Sequence, residues 1–65
     1  MMRARYSATD NLWEVREGER WWTVSIRPSG AAHICNENLA VIKPHGALGK
    51  RILAAIAKAQ GAARR

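Results

Sequence analysis

The sequence predicts an α+β domain. The expected layout is a three-stranded antiparallel meander packed on one C-terminal helix (β-β-β-α), with a fourth strand if the segment 39–42 joins the sheet. Two observations carry this. Around two turn signals, Gly18 and Pro28-Ser29-Gly30, the flanking segments alternate so that both hairpins choose the same apolar face. Downstream, apolar residues between 47 and 60 recur at helical spacing. One stripe of that helix needs cover, and the apolar face of the sheet is the cover available.

The elements follow in chain order. Residues 1–11 hold Arg3, Arg5, Tyr6, Ser7, Thr9, Asp10 and Asn11 without a clear period, and read as an arm or an edge segment ending in a turn at Asp10-Asn11. Residues 12–27 read as a hairpin about Gly18-Glu19. Glu17 then faces Arg20, Val15 faces Trp22 and Trp13 faces Val24. Period-two alternation puts Trp13, Val15, Trp22, Val24 and Ile26 on one face, and Glu14, Arg16, Trp21, Thr23 and Ser25 on the other. Across the second turn, Arg27 pairs with Ala31, which sets Ile26 against Ala32 and Val24 against Ile34. The third strand covers residues 31–36, and Asn36-Glu37-Asn38 breaks it. Leu39 to Ile42 is either a fourth strand or a linker, and Pro44 ends it. On the helix, Leu48, Ile52, Ala55, Ile56 and Ala59 share a face with Leu53 at its margin, while Lys50, Arg51 and Lys58 lie opposite. The alanines raise helix propensity, and Gly61 is placed to cap the C-terminus.

At 65 residues the chain holds one small domain, 1–65: an N-terminal arm over 1–11, the sheet over 12–42, a basic loop and helix over 43–61, and a basic tail over 62–65. Its 48% hydrophobic and 25% charged residues are the balance of a folded domain and not of a disordered tail. So short a chain hides only about 60% of its unfolded surface, which makes a homodimer or a bound partner an expectation and a large catalytic pocket an unexpected feature. No apolar run reaches the roughly 18 residues of a membrane span, and no secretory signal pattern is visible. Cys35 is the only cysteine, so there is no internal disulfide and no cysteine-rich zinc module. One free thiol fits a reducing compartment, and a cytoplasmic location is expected.

The formal net charge is +6, and its distribution says more than the total. Residues 1–42 balance Arg3, Arg5, Arg16, Arg20 and Arg27 against Asp10, Glu14, Glu17, Glu19 and Glu37. Residues 43–65 carry Lys43, Lys50, Arg51, Lys58, Arg64 and Arg65 and no acid, so the last third holds the whole excess. Such a segment attracts a polyanion: nucleic acid, an anionic membrane or an acidic protein surface.

Three groups of residues could use that attraction. Lys50, Arg51, Lys58, Arg64 and Arg65 would supply the electrostatic contact. Lys43, His45 and Gly46 would frame a phosphate at the start of the helix, where free N–H groups and the helix dipole favour an anion. Arg16, Trp21 and Arg27 lie on the face away from the helix and would contact phosphates or bases, Trp21 by stacking. The alternative for Trp21 is packing under the N-terminal arm against Tyr6, or in a homodimer interface. The acids Glu14, Glu17 and Glu19 count against a phosphate along their hairpin edge.

Two segments resemble nucleic-acid-binding families. Gly46-x-x-Gly49 followed by Ile52 resembles the clamp loop of KH domains, although no helix precedes it and its centre, Ala47-Leu48, is not basic. Trp22-Thr23-Val24-Ser25-Ile26, with Gly49-Lys50-Arg51 through Lys58, resembles the strands and basic helix of double-stranded-RNA-binding domains, without that family's first helix. Three strands and a helix are also the layout of sheet-reading DNA domains in some integrases and plant transcription factors. These are likenesses of layout, and no family is assigned from them.

Catalysis is not expected. His33, His45 and Cys35 are the only imidazoles and thiol. His33 and Cys35 share a strand face, but the spacing reads as too long for a direct hydrogen bond. No metal or other cofactor is expected, since two histidines and one cysteine lack a fourth ligand. The leading expectation is a small basic nucleic-acid-binding module, for DNA in preference to RNA, acting as an accessory or regulatory factor. The alternative is a small protein of the kind phage and mobile elements encode to bind and inhibit a host protein complex.

Overall fold

The computed structural model describes residues 1–63. Five strands and one helix follow in order: β1 (Arg3–Ser7), β2 (Leu12–Glu17), β3 (Arg20–Ile26), β4 (Ala32–Asn36), β5 (Val41–Ile42) and α1 (Ala47–Ala63). The strands form one antiparallel sheet in the order β1-β2-β3-β4-β5, with α1 packed on one face. The class is therefore the α+β meander that the alternation predicts, with more strands than the three or four expected.

The central registers match the pattern of the sequence. Trp13 faces Val24, Val15 faces Trp22 and Glu17 faces Arg20. Ile26 faces Ala32 and Val24 faces Ile34. Gly18 has φ 62 and Glu19 has negative φ, the requirement of a type II′ turn with glycine at its first loop position. After β3 the Arg27 N–H donates to the Ala31 carbonyl at 2.9 Å, and Gly30, at φ 90, donates to the Arg27 carbonyl at 2.8 Å.

The first eleven residues are more ordered than an arm. Ala4 faces Val15 and Tyr6 faces Trp13, so β1 extends the sheet at its edge. The period is hard to read because only Ala4 and Tyr6 mark the inner side, and Tyr6 remains half exposed. The turn at Asp10-Asn11 is present. Asn11 takes φ 54, a left-handed conformation that asparagine tolerates, and its side-chain carbonyl accepts the Tyr6 hydroxyl. Tyr6 stacks edge-on against Trp13 at 5.4 Å and not against Trp21. It therefore lies on the helix side of the sheet.

The segment after β4 is a short strand. Asn36 ties the connection: its side-chain oxygen accepts the N–H groups of Asn38 and Ala40, each at 2.9 Å. Its own N–H donates to the Ala40 carbonyl at 3.0 Å. Ile42 then faces Ile34 and Val41 faces Cys35.

Val15, Trp22, Val24, Ile34, Ile52 and Ile56 form the buried core, with Trp13, Leu48, Leu53 and Ala55 packed against it. Two expectations at its margins fail. Ile26 lies on the apolar face but is 45% exposed, because the β2–β3 ladder ends at Trp13 and Val24 and α1 lies closest to β1 and β2. Gly61 does not cap the helix: α1 continues to Ala63 and Gly61 has no positive φ. Its alanine neighbours hold the helix through a glycine that costs about 1 kcal/mol relative to alanine.

Candidate nucleic-acid interface

Strict alternation leaves one face of the sheet without a covering layer, and its side chains fall in rows across the strands. The first row is Arg3, Arg16 and Trp21 on β1, β2 and β3. The second is Arg5, Glu14, Thr23, Cys35 and Val41. Ser25 and His33 lie in the third. Trp21 is 40% exposed here while its neighbour Trp22 is buried on the opposite face, as the alternation requires.

Charges on this face are unequally compensated. Arg5 donates to Glu14 at 3.1 Å, so that pair is close to neutral. Arg3 and Arg16 face each other directly, and among the described residues neither makes a salt bridge. With Ala4, Arg5 and Glu14 they line a shallow depression of about 540 Å³. At the other end of the row Glu37 accepts the Trp21 backbone N–H at 3.3 Å and pairs with Arg20 at 3.6 Å. The row therefore carries its uncompensated positive charge at β1 and a closed ion pair beyond β3, with the indole between.

The remaining cations lie elsewhere. Lys50 and Lys58 are exposed on α1, in the layer behind the sheet, and Arg51 donates to Glu17 at 2.5 Å, tying the hairpin end to the helix. The structure thus separates the helix cations from Arg16 and Trp21 by the whole sheet. Arg27 is exposed in the turn after β3, six residues from Trp21, which at about 3.3 Å per residue is roughly 20 Å. Arg64 and Arg65 lie outside the described residues.

The loop before the helix is folded onto its own chain. Lys43 and His45 are exposed, and His45 lines a depression of about 250 Å³ with Gly30, Ala31, Ala32, Pro44 and Leu53. The Gly46 N–H donates to the Lys43 carbonyl at 3.2 Å, and the Gly46 carbonyl accepts from Lys50 at 2.9 Å. Gly49 is buried against Lys43 and Pro44. The second glycine of Gly46-x-x-Gly49 is there for close packing, a role that the spacing alone does not reveal.

His33 and Cys35 are closer than same-strand spacing implies: Cys35 Sγ lies 3.3 Å from His33 Nε2. The side chains of residues i and i+2 lean toward each other on the uncovered face. Among the described residues, no three His, Cys, Asp or Glu side chains gather as a metal set. No described helix is long and apolar enough to cross a membrane.

No family model matches the chain, and searches of curated proteins and of solved structures return no match.

Arg3 is the site residue that sequence reasoning missed. Its signal was available only through the pairing of β1 with β2, because nothing near Arg3 in sequence marks which strand it faces.

Proposed function

We propose that this protein is a small nucleic-acid-binding module and that the uncovered sheet face is its binding surface. One observation carries the reading: Arg3 and Arg16 stand opposite each other without an acidic partner, beside the exposed ring of Trp21. Like charges directly opposite on a sheet are destabilising. No group within the described residues compensates this pair, and a phosphate would. Lys43, Lys50 and Lys58 strengthen long-range attraction from the other side of the molecule without touching the same ligand.

The test is a fluorescence titration of a labelled oligonucleotide at two salt concentrations. Affinity should fall steeply with salt. Arg3→Gln combined with Arg16→Gln removes one phosphate contact and should lower the slope of log K against log salt by about 0.7 for single strands or 0.9 for duplex. Lys50→Gln combined with Lys58→Gln should leave that slope nearly unchanged. The opposite ranking would move the interface to the helix, and no binding at low salt would end the nucleic-acid reading.

A second reading, binding and inhibition of a host protein complex, is favoured by Leu39. This residue holds φ 65 and is 78% exposed, beside Val41 at 65%. A non-glycine residue in that conformation costs about 1–2 kcal/mol, and here the chain recovers little of it by packing. Pull-down from nuclease-treated and untreated lysate separates the two readings: a partner that survives nuclease and is lost in Leu39→Asp supports the second.

A further inference from the structure

The uncovered face has a shape that selects among nucleic acids, and the selection rests on the reading just given. A duplex major groove is about 12 Å wide and admits a helix or a two-stranded ribbon. Here β1 to β4 alone span roughly 14 Å between outer strand axes at about 4.8 Å per gap, before side chains are added. The face as a whole is therefore wider than the groove, and only two or three of its strands would fit there. In a duplex, moreover, every base is already stacked on its neighbours, and an indole facing outward from a sheet has no base face to meet. Unpaired nucleotides expose both the base face and the phosphate.

We infer that the face binds single-stranded nucleic acid, with a base stacked on Trp21 and its phosphate held between Arg3 and Arg16. The row order sets the polarity of the contact. Arg16 is the direct cross-strand neighbour of Trp21 and Arg3 the direct neighbour of Arg16, so the guanidinium pair begins one strand spacing from the indole, within reach of a single nucleotide. On the other side of Trp21, Arg20 is already paired with Glu37, so no free cation draws a phosphate there. Arg5 is already held by Glu14, which leaves Arg3 and Arg16 without an acidic partner among the described residues at this end of the face. The chemistry recognised is an unpaired nucleotide, and both single-stranded DNA and single-stranded RNA present it.

The test uses the full chain with labelled oligo(dT), oligo(rU) and a duplex of equal length at low salt. At least one single strand should bind about tenfold or more tightly than the duplex. Trp21→Ala should weaken single-strand binding about tenfold, in line with the loss of one base–aromatic stack, and leave duplex binding unchanged. Trp21→Phe should restore most of it. Trp21 is exposed, and a circular dichroism spectrum identical to wild type confirms that each variant is folded. Similar affinity for dT and rU supports recognition of the unpaired nucleotide itself, and a preference for one identifies the source. Duplex affinity equal to or above that of both single strands, or single-strand binding indifferent to Trp21→Ala, overturns the inference while leaving nucleic-acid binding in place. Failure of all three probes to bind overturns both.

Discussion

Gly49 and Gly61 lie on the same helix, and replacing each by alanine should shift stability in opposite directions. Alanine is the better helix former by about 1 kcal/mol in a helix interior. At Gly61 an added Cβ meets nothing within 4 Å, so most of that gain should appear, reduced to about 0.5 kcal/mol near the helix end. At Gly49 the same Cβ would collide with the Lys43 carbonyl oxygen and approach Pro44 Cα to 2.8 Å and Pro44 C to 2.9 Å. These are backbone atoms, held by the turn in which Gly46 donates to Lys43, and they cannot yield as a side-chain end would. Overpacking of this kind costs about 1–3 kcal/mol, and a contact this close belongs at the upper end. After the propensity gain, Gly49→Ala should destabilise by about 2 kcal/mol. For a domain of this size that is a fall in Tm of about 8–16 °C, whereas Gly61→Ala should raise it by about 2–4 °C. Thermal unfolding followed by far-ultraviolet circular dichroism reads both. A Gly49→Ala protein as stable as wild type would mean that the 43–46 loop does not lie on the first turn of α1, and the placement of Lys43 and His45 would fall with it.

Other perturbations test separate parts of the structure. Trp22 is the largest fully buried side chain. Trp22→Ala should therefore cost about 3–5 kcal/mol, against a total of roughly 3–10 kcal/mol for a chain of this length. Trp22→Phe should cost clearly less, because it keeps most of the volume and removes the buried Nε1, which has no hydrogen-bond partner; urea titration ranks the two. Leu39→Asn should be neutral or stabilising by up to about 1 kcal/mol, since asparagine tolerates the left-handed conformation and little packing is lost; a clear loss in the same titration would show that Leu39 is held by contacts within the chain. Glu17→Gln, which breaks the ion pair with Arg51, should change stability by less than about 1 kcal/mol because both side chains are partly exposed. The small core also favours a homodimer, and sedimentation equilibrium should give about twice the 7.2 kDa chain mass; a monomer at high protein concentration removes that expectation.

The inner strands and their faces are legible in the order of the residues alone. Trp13, Val15, Trp22, Val24 and Ile34 alternate strictly around Gly18 and Gly30, and a slip of one residue would expose all of them, so pattern and register are one statement. The stripe from Leu48 to Ala59 was legible for the same reason, with helical spacing replacing alternation. That 3–7 is a strand emerges from the folded chain, because an edge strand has one neighbour and half a buried face, and its short pattern carries little signal. The packing role of Gly49 emerges there too, since a close approach between loop and helix involves residues whose contact no local period encodes. The candidate site divides in the same way. Arg16 and Trp21 share the uncovered face by alternation, which is local, whereas Arg3 joins them through a pairing set by the β1–β2 turn. The separation of the helix cations from that face is a consequence of layering: a helix that buries its apolar stripe on one side of a sheet must carry its charges away from the other.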